Sequence, residues 1–214
     1  MLVFIVSIIT WNWEKRNIEI VDRMIYYVIN NDWNVSFERH GRMNERKRGK
    51  IMHIVLHQPE IPANTGNIGR TCVATGTTLH LIEPLGFRLN EKEIKRAGMD
   101  YWEHLDVRRY VNFSEFLEKN PGAKIWMATT KAKRAYTDAE FGEDDYIMFG
   151  KESAGIPEEI LVDYEKTCIR IPMLGQIRSL NLSNSAAIIL YEALRQNHFS
   201  SMQLEGELHR LHWK

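Results

Sequence analysis

The chain has 214 residues, and its 28 Lys plus Arg balance its 28 Asp plus Glu to a formal net charge of zero. This excludes a globally basic footprint for nucleic acid, so any phosphate contact must come from local clusters. The length suits one ordinary domain with a sizeable core plus an appendage. The cysteines, Cys72 and Cys168, stand far apart in apolar contexts; they give neither a zinc-site spacing nor a disulfide framework and read as reduced core residues.

The first ten residues, MLVFIVSIIT, are too short to span a bilayer and have no basic residue ahead of them, so they make a poor signal peptide; a cytoplasmic protein with no membrane partner is expected. Ile18, Val21, Met24, Ile25, Val28 and Ile29 recur at near-helical spacing. The run RHGRMNERKRGK (residues 39–50) is polar and basic and reads as a linker. Residues 1–51 are therefore expected to be an N-terminal appendage and linker, or a start called too early, with Met43 or Met52 as the natural one.

From Met52 onward short apolar runs alternate with helical segments. Strands are predicted at residues 53–57, 79–82, 125–129, 146–149 and 167–171. Helices are predicted at 65–75, closed by Gly76, and at 91–98, 114–119, 157–163 and 183–197. Nearly continuous apolar strands alternating with helices predict a single α/β domain over residues 52–198, with a mostly parallel sheet covered on both faces. Ligands bind such sheets beyond the carboxyl ends of the strands, which directs attention to the loops after residues 129, 149 and 171 and to the turn after His57. In the tail, 199–214, Leu204, Leu208 and Leu211 share one helical face and predict a short packing helix. His209 and His212 are spaced as two metal ligands but lack a third, and no metal is expected.

Three polar stretches fall at that end of the sheet. In PEIPANTGNIGRTCVATG (59–76), Asn64 or Thr65 can cap the next helix, Gly66 and Gly69 allow close approach, and Arg70 lies on the first turns. The stretch lacks the Gly-Lys-Ser/Thr end of a Walker loop and the glycine spacing of a dinucleotide fingerprint. In FGKESAGIP (149–157), Gly150 and Gly155 bracket Glu152, which either projects toward a ligand or caps the helix after Pro157.

In RIPMLGQIRSLNLSNSAAIILYE (170–192), an apolar lip of Ile171, Pro172 and Met173, continued from Ile169, adjoins Ser179, Asn181, Ser183 and Asn184. These hydroxyls and amides are expensive to bury unpaired. Read as a mere connection, the stretch makes Ser183 the N-cap of a helix over 184–195. No Ser, His and Asp set supports hydrolysis and no carboxylate cluster supports metal-assisted phosphoryl transfer. Two local basic clusters stand out: Arg88, Lys92, Lys95 and Arg96, and, just beyond a strand's carboxyl end, Lys131, Lys133 and Arg134, which is better placed to contact RNA.

In order and separation these stretches resemble the three motifs of the SPOUT-class RNA ribose 2′-O-methyltransferases. MHIVLHQPEIPANTGNIGR (52–70), HLIEPLGF (80–87) and KRAGMDYW (95–102) are similar, within that class, to the TrmL family, which methylates the wobble nucleotide, C34 or U34, of certain leucine tRNAs. The resemblance covers residues 52–197, and the first 51 residues depart from it. It implies an S-adenosylmethionine-dependent tRNA methyltransferase, an α/β domain with a C-terminal trefoil knot, and a homodimer whose two subunits complete the site.

Carried over by position, the cofactor would contact Ala128, Thr129, Gly150, Ile171, Met173, Ser179 and Leu180. Asn64, Arg70, Glu152, Ser179 and Asn181 would surround the reaction centre, and Tyr191 would lie on the dimer helix. A guanidinium stays protonated at ordinary pH, so Arg70 is read as a clamp on the target phosphate or ribose rather than a base. A related enzyme acting on rRNA or another tRNA position, and a non-catalytic RNA-binding protein of the same fold, are the alternatives; the intact polar set speaks against the latter.

Overall fold

The computed structural model describes residues 51–88, 100–200 and 202–213. Residues 1–50 of the appendage expected over 1–51, the helix at 91–98 and the cations Lys92, Lys95 and Arg96 lie outside the described residues.

Six strands, β1 (His53–His57), β2 (Thr78–Ile82), β3 (Val107–Tyr110), β4 (Ile125–Ala128), β5 (Tyr146–Phe149) and β6 (Cys168–Ile169), form one sheet in the order β3-β2-β1-β5-β4-β6. Every neighbouring pair is parallel. The helices are α1 (Pro62–Thr75), α2 (Phe113–Lys119), α3 (Glu158–Leu161) and α4 (Leu182–Gln196). Because strand side chains alternate, Ile54, Leu56, Leu79, Leu81, Ile147 and Phe149 face one apolar layer with Ile68 and Cys72 of α1 and Ile189 and Leu190 of α4. Val55, Ile82, Met127 and Met148 face the other, with Phe116 of α2, Ile156 and Leu161. Both faces are covered, which is why the strands read as unbroken apolar runs. Each fully buried Leu, Ile or Phe contributes about 1.5–3 kcal/mol.

Strand β3, VRRY, was not predicted, because its two arginines break the apolar pattern. It is an edge strand, where charge is tolerated; Arg108 pairs with Asp106 at 3.1 Å and Arg109 with Glu83 at 2.6 Å. The last predicted strand shrinks to two residues, and Arg170 continues it only as an isolated parallel bridge to Ala135.

The caps differ from expectation in an instructive way. Helix α1 starts after Ile61, with Pro62 in its first turn, where a missing N–H costs nothing; Asn64 and Thr65 are inside the helix and do not cap it. Gly76, at φ +66°, closes it. The N-cap of α4 is Asn181 rather than Ser183: its Oδ1 accepts from the amides of Ser183 at 2.9 Å and Asn184 at 3.3 Å, and the Ser183 hydroxyl also donates to it.

The tail is also not the predicted helix. Residues 202–213 are irregular, with Leu204 74%, Leu208 40% and Leu211 72% exposed. Gly206 sits mid-segment, and so short a helix with no packed face does not sustain itself. Both cysteines are free and buried, and burial pushes the Cys72 thiol up to about 12. No helix among the described residues is long and apolar enough to cross a membrane.

On the α2 side of the sheet, His53 Nδ1 lies 3.0 Å from His80 Nε2, and His80 Nδ1 lies 2.9 Å from the Tyr110 hydroxyl. The Tyr146 ring stacks on His53 at 4.1 Å. Burial lowers His53 to about 4 and His80 to about 3, so both rings are neutral.

Candidate active site

Beyond the carboxyl ends of β4, β5 and β6, the loops at 129–131, 150–155 and 170–182 meet the start of α1 and enclose a cavity of about 480 Å³. That is within the span of small-ligand pockets, roughly 300–1,000 Å³. Its lining combines apolar side chains, among them Ala128, Ile171, Met173, Leu180 and Ile189, with loop backbone and polar or charged side chains.

The loop after β5 is shaped by two glycines. A Cβ on Gly150 would stand 1.9 Å from the Gly155 carbonyl carbon and 2.1 Å from the Ile156 nitrogen, so only glycine allows the two backbones to touch. The Gly155 N–H then donates to the Lys151 carbonyl at 2.8 Å, with Gly155 at φ +74°. This tight turn carries Glu152 toward α1, where its Oε2 accepts from the Glu60 amide at 2.8 Å. Its Oε1 accepts from Asn64 Nδ2 at 2.9 Å and from the Ile61 amide at 3.3 Å. A carboxylate there also meets the positive end of the α1 dipole.

The exchange is reciprocal. The Glu60 carboxylate accepts from the Ser153 hydroxyl and amide, each at 2.9 Å, and these hydrogen bonds hold its carboxyl below the ordinary range. Asn64 continues the chain of bonds: its Oδ1 accepts from Asn181 Nδ2 at 3.0 Å, while Asn181 Oδ1 caps α4. Glu152, Asn64 and Asn181 thus fix two loops and the first turn of α1 to one another, and each amide orientation is set by its partners.

Ala128, Thr129, Gly150, Ile171, Met173, Ser179 and Leu180 all line the cavity, as do Asn64, Glu152 and Asn181. Arg70 does not. It lies six residues beyond Asn64, about 9 Å further along the helix and turned by about 240°; it is exposed, with its guanidinium carbon 5.0 Å from the centre of the Tyr101 ring. Lys131 reaches the cavity wall and pairs with Glu158 at 2.9 Å, whereas Lys133 pairs with Glu165 at 3.2 Å and neither Lys133 nor Arg134 lines the cavity. Tyr191 is 43% exposed on α4. Ser183 sits in the first turn of α4, outside the lining.

The sequence reading missed Glu60, Ser153 and Arg170. Arg170 directly follows β6 and lines the cavity, so the carboxyl-end rule applied at the observed strand end, two residues earlier than predicted, would have found it. Glu60 and Ser153 carry no such signal, since their roles come from pairing with each other. Among the described residues no three His, Cys, Asp or Glu side chains are grouped to hold a metal ion.

The family model described as the SpoU rRNA Methylase family matches residues 51–191. A tRNA (cytidine(34)-2′-O)-methyltransferase of Aeromonas hydrophila subsp. hydrophila is 49% identical over 148 residues, covering 68% of this chain and 94% of that protein. A solved structure described as giving structural insights into the 2-OH methylation of C/U34 on tRNA superposes with a TM-score of 0.66 at 46% identity, over 70% of this chain and 97% of the other. An AdoMet-bound rRNA methyltransferase from Sinorhizobium meliloti superposes with a TM-score of 0.61 at 26% identity, over 68% of this chain and 56% of that one. With the family model running from the residue pair before β1 well into α4, through all six strands and the three loops of the cavity, the chain belongs to the SpoU rRNA methylase family.

Proposed function

We propose that the protein transfers a methyl group from S-adenosylmethionine to the ribose 2′-oxygen of the wobble nucleotide, C34 or U34, of tRNA, with leucine isoacceptors as substrates. The observation that carries this is the cavity itself: apolar side chains and loop backbone line it together, and the bonded series Glu152, Asn64 and Asn181 is part of that lining. Relatives named for cytidine 34 supply the position.

The cavity fits the cofactor. Ala128, Ile171, Met173 and Leu180 offer apolar contacts for adenine, and Thr129, Gly150 and Ser179 offer backbone and hydroxyl groups for its polar edges. When bound there, S-adenosylmethionine supplies an electrophilic methyl group on a sulfonium. The chain's task is then alignment in a dry site, which alone is worth several orders of magnitude in rate. Glu152 and the two asparagines hold the walls at fixed separation, and Ser179 and Asn181 border the ribose. Arg70 binds the target phosphate or ribose through its planar donor fork and takes up no proton.

Because Arg70 stands outside the cavity of its own chain, we infer a homodimer in which a second copy completes the site. Ile188 and Tyr191 of α4, 38% and 43% exposed, supply apolar contact surface on the helix that packs against α1. Within each copy the segment from β6 into α4 is proposed to thread a trefoil knot, in keeping with its path across the ends of β4 and β5. The enzyme is proposed to act in the cytoplasm. For tRNA, Lys131 and Lys133 are held only by exposed pairs with Glu158 and Glu165; such pairs are worth little, so phosphates can replace the carboxylates. Arg134 completes the cluster.

Incubation with labelled S-adenosylmethionine and total tRNA, followed by mapping of the methylated nucleoside, tests the proposal. Label at nucleotide 34 is the expected result. Label confined to rRNA or to another tRNA position overturns the substrate, and absence of label from every RNA overturns the activity. Arg70→Ala is expected to slow transfer more than about 100-fold while calorimetry shows cofactor affinity unchanged; loss of the cofactor would move Arg70 into the cofactor site.

A further inference from the structure

We propose that Tyr101 is the positioning residue for Arg70, aiming its guanidinium at the RNA without neutralising it. The inference rests on the reading of Arg70 given above.

Tyr101 belongs to a short 3₁₀ segment, Asp100–His104, that packs directly on α1. The close fit is visible at Gly69, where a Cβ would stand 3.0 Å from Leu105 Cδ2 and 3.1 Å from Trp102 Cζ3. The Tyr101 hydroxyl donates to the Gly66 carbonyl at 2.7 Å. Gly66 is four residues before Arg70, so within α1 this is the carbonyl to which the Arg70 amide also donates. One oxygen therefore fixes both the phenol and the backbone of the arginine.

A helical side chain leans back toward the helix N-terminus and covers the turn before its own Cα. The half-buried Tyr101 ring lies over that turn, and the guanidinium carbon comes to rest 5.0 Å from the ring centre, within cation–π range. Burial raises the phenol above its ordinary range, so the ring is neutral and offers its π face alone.

The choice of partner matters for the chemistry. Among the described residues no carboxylate lies within ion-pair distance of Arg70, whereas Arg108, Arg109 and Arg195 each have one. A carboxylate would occupy the donor fork that a phosphate or ribose needs. A ring holds the cation by its face and leaves the fork's N–H groups free. The single pair of contacts at Tyr101, one to backbone and one to cation, is what a group built to aim Arg70 requires.

The test uses the full-length enzyme with tRNA under single-turnover conditions, enzyme in excess, beside calorimetry with S-adenosylmethionine and thermal unfolding. Tyr101→Leu removes the ring and is expected to slow transfer roughly 2- to 30-fold with cofactor affinity unchanged. Tyr101→Trp restores a π face and is expected to recover most of the rate even though it cannot reproduce the hydroxyl contact. In an Arg70→Ala background Tyr101→Leu is expected to add no further loss, because the two act as one unit.

A wild-type rate for Tyr101→Leu, alongside a crippled Arg70→Ala, overturns the inference and leaves the role of Arg70 standing. So do losses that multiply in the double variant, or a cofactor affinity that falls in step with the rate, which marks a merely structural residue. A wild-type rate for Arg70→Ala overturns both. If Tyr101→Leu does not fold, Tyr101→Phe and Tyr101→Trp, which keep a ring and lose the 2.7 Å bond, are each compared with wild type and with Arg70→Ala: rates near wild type support the proposal, and both variants as slow as Arg70→Ala refute it.

Discussion

Gly150→Ala separates a steric account of the loop after β5 from a merely conformational one. The new Cβ would stand 1.9 Å from the Gly155 carbonyl carbon, 2.1 Å from the Ile156 nitrogen and 2.3 Å from the Gly155 carbonyl oxygen. All three are backbone atoms, so no rotamer change relieves the overlap. The loop must open, breaking the Gly155 to Lys151 bond and displacing Glu152. Overpacking of this kind costs about 3 kcal/mol, at the upper end of the usual range, which for a domain of this size lowers Tm by roughly 6–12 °C.

Two other glycines are internal controls. Gly155→Ala meets open space but is held at φ +74°, a cost of about 1–2 kcal/mol from the left-handed backbone alone. Gly175→Ala meets nothing within 4 Å and no such φ, so its effect is expected within about 0.5 kcal/mol of zero. Thermal and urea unfolding of the three variants, with cofactor calorimetry, should rank them Gly150, Gly155, Gly175 in order of damage. Gly150→Ala melting within about 2 °C of wild type, or Gly175→Ala proving as harmful, would refute the reasoning.

Asn181→Ala loses the α4 cap, worth about 1 kcal/mol, and strands the Asn64 acceptor. Asn181→Asp keeps the cap acceptor but cannot donate to Asn64, so it is expected to melt near wild type yet methylate poorly; equal activity would show the Asn64 contact to be idle. Lys131, Lys133 and Arg134 changed together to Ala are expected to flatten the dependence of log tRNA affinity on log salt by roughly two to three units, and an unchanged slope would place the RNA elsewhere. Acid should destabilise the fold through His53 and His80. Their folded values, about 4 and about 3, lie below the ordinary 6.5, so the unfolded chain binds more protons and stability falls as pH drops from about 6.5 toward those values. A His80→Gln variant with the same acid slope would exclude that histidine.

Much of the scaffold was legible because both sheet faces are buried: β1 and β5 appear in the sequence at their observed limits, and β2, β4, α2 and α4 within a residue or two. What escaped depends on neighbours distant in sequence. The run VRRY is a strand only because the edge of a sheet admits Arg108 and Arg109. Ser183 looked like the cap because it is a good one in isolation; Asn181 took the role because its amide also reaches Asn64, 117 residues away. The tail followed leucine spacing into a helix that nothing packs. In the site, the cofactor and reaction-centre residues singled out by resemblance lie in the cavity lining except Arg70, and no local pattern reveals that Arg70 stands outside it, since helix phase is fixed by how Ile68 and Cys72 meet the core.

The bonds that join Glu152, Asn64 and Asn181 span 88 and 117 residues. Such contacts form late, after the long intervening loops have closed. The cavity is therefore a product of the finished chain and of no single element. During synthesis β1 through β5 can be made while the lip at Ile171 and Leu180 is still missing, so the growing chain lacks a complete cavity before its final helix docks. A chain ending ahead of Asn181 is expected to show no cofactor binding by calorimetry, and competence arrives together with completion.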